Sequence, residues 1–421
     1  MPERRLAIIP VLPYRRAIVA LGVAMLSVTH ANAADAPVYA QLLAQALSQA
    51  PALMEQQANV GAAAADAQQS RALLNPRVDT LFENLGAPAS GGQSQRQSTY
   101  TVTQPLEVFG KRAARIEAGE RNLGLSQTRS HQAQVDFAAG LAVAYASVEA
   151  AQALRQLAQD DLARAKDDLG VAQAQVKAGK EAQLRLAQAQ ASVAAAQANT
   201  QASAADLTQA LERLSALVGS DIAYSGVSGT LLNAANDSPA SSVQEAPSVV
   251  TARAERDALQ AQVTVEQKRW VPEIGISAGV RRYAWSSQSG YVVGVSATIP
   301  LLDRNAGGIS AAQQRVIAAE SRLEEARLLA QANLRTALAQ VQAADQRLTA
   351  ASTGEAAANE AYRLGRVGYE AGKTSLVELL VIRRALSEAR GSTIGARLAR
   401  VRALSAMAQA EGRLAFGEEI K

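Results

Sequence analysis

The chain has 421 residues, 48% of them hydrophobic but only 4% aromatic, with no cysteine and a formal charge of +4. So few aromatics argue against a large globular core, which draws on such side chains for volume, and place burial along thin helix–helix seams instead. The lack of cysteine excludes disulfides, a thiolate metal site and an N-terminal lipid on cysteine.

In chain order, residues 1–33 read as a secretory signal. Arg4, Arg5, Arg15 and Arg16 form its basic region, Ala17 to Val28 its apolar stretch, and Ala31-Asn32-Ala33 its cleavage site. The apolar stretch is shorter than the roughly 20 residues a bilayer span needs. Its removal lowers the formal charge to about +1, which takes away the main support for a nucleic-acid partner. Asp35 to Leu74 favours helix and ends at Asn75-Pro76. Alternating segments near 77–84 and 98–104, joined by a loop rich in Gly, Ser and Gln, read as a β-hairpin with a polar crown. Lys111 to Lys177 lacks proline and predicts one helix, roughly 100 Å long at 1.5 Å per residue. A break at Ala178-Gly179-Lys180 is followed by a returning helix, Glu181 to Val218, and Gly219 to Ser248 reads as a surface belt or linker.

The second half says the same again. Pro76 recurs as Pro272, Pro105 as Pro300 and Gly179 as Gly372, at spacings of about 193 to 196 residues that mark an internal repeat. A second hairpin, about 273–299, leads to another long helix, a tip at Ala371-Gly372-Lys373 and a returning helix from Ser375 to about Gly417. Residues 34–230 and 231–421 are therefore expected to be two copies of one unit. Ala144, Ala151, Ala158, Ala165 and Ala172 recur every seven residues, and Ala337, Ala344, Ala351 and Ala358 repeat that phase; sustained heptads imply coiled-coil packing.

Along the strands, Tyr291, Val293, Val295, Ala297 and Ile299 share a face, as do Ile274, Ile276, Ala278 and Val280. Apolar residues alternating with small or polar ones suit a lipid-facing barrel wall, and Tyr283, Trp285 and Tyr291 stand where its aromatic girdle is expected. No later segment is an uninterrupted apolar span, so a membrane crossing is expected to be a barrel. Four strands do not close one, and eight leave an interior filled by side chains; an open conduit needs at least three chains. The fold expected is thus mostly α with a membrane β-barrel contribution.

Several stretches now carry a resemblance. They are Asn75-Pro76-Arg77-Val78, Gln104-Pro105-Leu106-Glu107-Val108-Phe109-Gly110-Lys111-Arg112, Pro272-Glu273-Ile274 through Gly279-Val280-Arg281-Arg282, and Ile299-Pro300-Leu301-Leu302-Asp303-Arg304-Asn305. The mature chain resembles the TolC family of outer-membrane efflux ducts, and within it the CzcC-like heavy-metal branch. The resemblance implies a homotrimer with a twelve-stranded barrel in the outer membrane of a Gram-negative cell, continued by a periplasmic α-helical barrel. It also implies docking, through a periplasmic adaptor, to an inner-membrane pump of the resistance-nodulation-division type. Gly179 and Lys180, with Gly372, Lys373, Thr374, Ser375 and Leu376, match the tips that meet the adaptor. Glu378 matches an acidic residue that narrows the closed entrance in relatives; where a second acid often follows, this chain has Val381.

Catalytic chemistry finds no foothold. His131 is the sole histidine after the signal, Met54 and Met407 are the remaining soft donors, and no cofactor is expected. Asp160-Asp161 and Asp167-Asp168 read as a solvated coiled-coil face, and Gly179-Lys180 lacks the rest of a phosphate-binding loop. The leading reading is a passive duct, with divalent heavy metals such as cobalt, zinc, cadmium or nickel as cargo. The alternatives are a duct for organic drugs or proteins, and a periplasmic coiled-coil scaffold without a pore.

Overall fold

The structure is a computed structural model that describes residues 34–180, 182–234, 245–371 and 373–417. The signal sequence, Glu181, Gly372 and the side chain of Leu376 lie outside the described residues. Helices α1 (Tyr39–Gln49) and α2 (Pro51–Ser70) precede strands β1 (Arg77–Glu83) and β2 (Gln97–Leu106). Then come α3 (Lys111–Lys177), α4 (Gln183–Val218) and a 3-10 turn at Leu231–Asn233. The second half comprises α5 (Pro247–Lys268), β3 (Glu273–Tyr283), β4 (Ser289–Thr298), α6 (Ala306–Glu370) and α7 (Leu376–Ala410).

Two boundaries differ from the sequence reading. The first expected helix splits because Ala50 is extended and Pro51 starts a new helix at its first position, where its missing N–H costs nothing. The last helix stops at Ala410 rather than near Gly417, since Gly412 turns left-handed (φ 74°) and Arg413 N–H bonds back to the Ala408 carbonyl at 2.8 Å.

Individual hydrogen bonds recur in the phase of the repeat. Thr200 Oγ1 donates to the Ala158 carbonyl at 3.2 Å, tying α4 to α3, and Thr393 Oγ1 donates to the Ala351 carbonyl at 3.3 Å, tying α7 to α6. The end of α4 at Gly219 abuts Pro51, and Gly412 abuts Pro247 in the same way. Hence α4 continues end to end into α2, and α7 into α5. With α3 and α6 the chain makes four rods: α3 packs on α2 and α4 at one side and on α5 and α7 at the other, with α6 beyond those two.

Small residues hold the seams. Ala158, Ala165 and Ala172 of α3 are buried, as are Ala337, Val341 and Ala344 of α6; alanine at every seventh position lets the backbones approach closely. The one thick core lies midway, where α1, the ends of α4 and α7 and the 3-10 turn cover one face of α3 through Leu42, Leu141, Tyr145, Val148, Leu214 and Val401. Part of α3 is long and apolar enough to cross a membrane by length and composition alone, but 56% of that window is buried within the protein. Of the predicted linker, the described residues 219–234 are tied to the core. Glu149 accepts from the Leu231 and Leu232 N–H groups at 2.7 and 2.8 Å, and Tyr39 Oη donates to the Ala138 and Ala415 carbonyls at 3.1 and 2.6 Å. Burial raises the Tyr39 phenol well above its ordinary pKa.

The strands form one antiparallel sheet in the order β1-β2-β3-β4, so the two hairpins join through β2 and β3. The chain exposes 27392 Å², against about 15,000 Å² for a globular monomer of its mass. That excess reflects long rods with little shared core.

Candidate functional site

The sheet separates its chemistry by face. In the register observed, Val78, Thr80 and Phe82 of β1 lie on the same side as Tyr100, Val102 and Leu106 of β2. Ile274, Ile276, Ala278 and Val280 of β3 and Tyr291, Val293, Val295 and Ala297 of β4 continue that side. Tyr291 is 89% exposed and Val293 80%, and among the described residues no other element covers this apolar side. The other side is mostly small or polar: it carries Asp79, Leu81 and Glu83, Thr99, Thr101 and Thr103, Gly275, Ser277 and Gly279, then Val292, Gly294 and Ser296. Its glycines let strands pack closely: a side chain at Gly279 would collide with the Tyr100 carbonyl. Arg281 anchors this polar face, donating to Thr99 Oγ1 at 3.0 Å with Glu83 at 3.6 Å.

The three aromatics expected to form a girdle do not share a face, which corrects that expectation. Tyr291 pairs with Val280 on the apolar side, whereas Tyr283 shares the polar side with Arg281 and reaches over Gly290. Trp285 packs at a tilt against Tyr283, with ring centroids 4.7 Å apart. The parity of a strand decides this: 283 and 291 fall on opposite sides once the turn sets the pairing. The residues level with Tyr291 on the apolar face are Tyr100 and, one step further out, Phe82. Sequence reading missed both, because β2 and β3 come from hairpins in different halves of the chain and only their register lines these rings up.

The far ends of the helices form the two tips. At the first, Ala178 ends α3, Gly179 is left-handed (φ 69°) and donates to the Val176 carbonyl at 3.0 Å, and Lys180 N–H donates to that of Gln175 at 2.9 Å. This double closure is a Schellman motif, which glycine favours. At the second, Lys373 N–H donates to the Gly368 carbonyl at 2.7 Å, the equivalent bond in the second repeat. Ser375 then caps α7 by accepting from Glu378 N–H at 3.2 Å. Ser375-Leu376-Val377-Glu378 thus has the spacing of a capping box, a local role for Glu378 that the sequence reading did not weigh. The Glu378 side chain is exposed and makes no ion pair among the described residues, and Val381 one turn on is exposed too.

The acidic pairs of α3 are not simply a solvated face. Asp168 takes a 2.5 Å bond from Arg383 Nη1, and Asp161 accepts from the Ser387 hydroxyl, so both lock α3 to α7. Seven-residue spacing puts these two carboxylates on one side of α3, and Arg383 and Ser387, four apart, meet them in antiparallel order. Among the described residues no group of three or more His, Asp or Glu is placed to hold a metal ion.

A four-stranded sheet with one largely apolar and one largely polar face, continued by four helical rods, two about 100 Å and two about 85 Å long at 1.5 Å per residue, has the architecture of a channel protein. The chain belongs to the outer membrane efflux protein family, which it matches over residues 42–220 and 239–413. It is 59% identical over 402 residues to the nickel-cobalt-cadmium resistance protein NccC of Alcaligenes xylosoxydans xylosoxydans, covering 94% of this chain and 92% of that one. It is 57% identical over 396 residues to the nickel and cobalt resistance protein CnrC of Cupriavidus metallidurans, covering 94% and 95%. The Campylobacter jejuni CmeC outer membrane channel shares the fold at 15% identity, with a TM-score of 0.77 over 96% of this chain and 94% of that one. The protein is therefore an outer-membrane efflux protein, and the solved CmeC structure that shares its fold is an outer-membrane channel.

Proposed function

We propose that three copies of this chain assemble into a continuous duct that carries divalent heavy-metal cations out of a Gram-negative cell. Three four-stranded sheets supply twelve strands, enough to leave an open lumen where eight do not. Three sets of four rods supply a twelve-rod tunnel below it, with the free edge of α6 against α2 and α4 of the next copy. The observation that carries this reading is the division of the sheet into an apolar outer and a polar inner face, which a barrel needs and a soluble sheet of this exposure does not. The names of the relatives at 57–59% identity support the metal cargo.

The duct itself does no chemistry. It lowers the barrier to an ion by a water-filled path lined with Thr and Ser hydroxyls and glycine backbone, while the driving force lies in an inner-membrane resistance-nodulation-division pump reached through a periplasmic adaptor. The tips at Gly179-Lys180 and Gly372 to Leu376 are the adaptor contacts in this reading. Glu378, repeated three times about the axis, makes a single ring of carboxylates at the entrance that favours cations; exposed Val381 leaves that ring without a second layer.

Cells lacking this protein test the cargo. Deletion should raise intracellular nickel, cobalt or cadmium under metal challenge and lower tolerance, with recovery on complementation. Unchanged metal content together with a new sensitivity to organic compounds would favour the drug-duct reading instead.

A further inference from the structure

Where the sheet meets the helices, the two repeats differ. In the first, Gln104 Nε2 donates to the Leu74 carbonyl at 2.8 Å and spans the two junctions. In the second, Ile299 and Trp270 stand at the matching places and no such bridge forms. A cleft of about 460 Å³ opens there, lined by Trp270, Pro272, Ile299, Pro300, Leu301 and Arg304. Its walls are set in advance. Asn305 Nδ2 donates to the Glu266 carbonyl at 3.1 Å and to Glu266 Oε2 at 2.7 Å, while Asp303 Oδ1 accepts from Asn305 N–H at 2.8 Å. Glu266 is in turn paired with Arg269 at 3.1 Å, so its charge is already answered. Arg304 is exposed at the rim and has no ion pair or hydrogen bond among the described residues.

Ile299 extends the line of Tyr291, Val293, Val295 and Ala297, so the cleft continues the apolar face of the sheet at its helical end. An apolar slot with a free guanidinium at its mouth matches an acyl chain beneath a phosphate, and an indole beside it suits the membrane–water boundary. We infer that this cleft binds one phospholipid of the inner leaflet per chain, acyl chain along Trp270 and Ile299, headgroup phosphate on Arg304. The inference rests on the outer-membrane reading above. It gives the second repeat a lipid anchor that the first, closed by Gln104, does not have.

The chain has two tryptophans, so Trp285→Phe leaves Trp270 as the sole indole. The processed protein in mild detergent is titrated with phospholipid brominated along its acyl chains. Trp270 fluorescence should quench saturably, and Arg304→Glu should shift the midpoint about tenfold upward, the loss expected for one charge-assisted phosphate bond. Arg335→Glu, on α6 away from the cleft, should leave it in place. Inorganic phosphate at millimolar level should not compete; if it displaces the lipid effect fully, the site is an anion site and the inference fails. A companion protein with Trp270→Phe, Trp285→Phe and Tyr291→Trp reports on the sheet face once reconstituted in brominated bilayers. Quenching of that probe without saturable quenching of Trp270, or an unchanged midpoint in Arg304→Glu, overturns the cleft alone. No quenching at position 291 overturns the membrane reading beneath it.

Discussion

Glu149 is the most informative single perturbation of the belt. Its two oxygens take the N–H groups of Leu231 and Leu232 at 2.7 and 2.8 Å, in a region where all three residues are buried. Glu149→Ala leaves two buried donors without partners, each worth about 1–3 kcal/mol. Part of that is offset because a buried carboxylate is itself costly to keep charged. A net loss of about 2–4 kcal/mol follows, which speeds local exchange of the 231–234 amides about 30- to 1000-fold. Hydrogen exchange by mass spectrometry on the assembled protein measures it, and a change below about threefold would refute the clamp. Burial raises the Glu149 pKa above its ordinary value, against the lowering effect of the two backbone bonds. With the folded-state value above the unfolded one, the contribution to stability is fully present below the unfolded pKa, roughly 4.3. It is lost as pH rises through the folded value. The stability gap between the wild type and Glu149→Gln should therefore move in favour of the wild type on acidification, and a gap that moves the other way contradicts the assignment.

Gly179→Val places a β-branched residue at φ 69°, costing about 1–2 kcal/mol at the tip; efflux should fall while outer-membrane assembly persists, as resistance assays and fractionation at matched expression show. Glu378→Ala should lower cation preference and weaken block by divalent ions in planar bilayers, and identical selectivity in both proteins rules the ring out. Gly279→Val drives a side chain into the Tyr100 backbone between β3 and β2, so heat-resistant oligomers in detergent should disappear, whereas their survival would mean the two hairpins do not abut there.

The helices were legible because their signals are local. Lys111 to Lys177 is helical throughout, and the alanine heptads mark the buried seam. The hairpins were legible for the same reason, with alternation and turn residues lying close together along the chain. What escaped was whatever depends on pairing across the repeats. The girdle went astray because Tyr283 and Tyr291 flank one turn in sequence, yet strand parity sends them to opposite faces. Tyr100 and Phe82 take their level only through β2–β3 pairing, for which the chain has no nearby signal. Asp161 and Asp168 looked solvated because their partners, Ser387 and Arg383, lie 226 and 215 residues further along the chain. Glu378 is the converse case, since its capping spacing to Ser375 is written in four adjacent residues.

The central claim is that one chain supplies a third of a closed wall, and the mass of the processed protein in detergent tests it most directly. Native mass spectrometry should find three copies as the dominant species. A stable monomer or dimer as the sole species would contradict the account, because neither four nor eight strands enclose an open path.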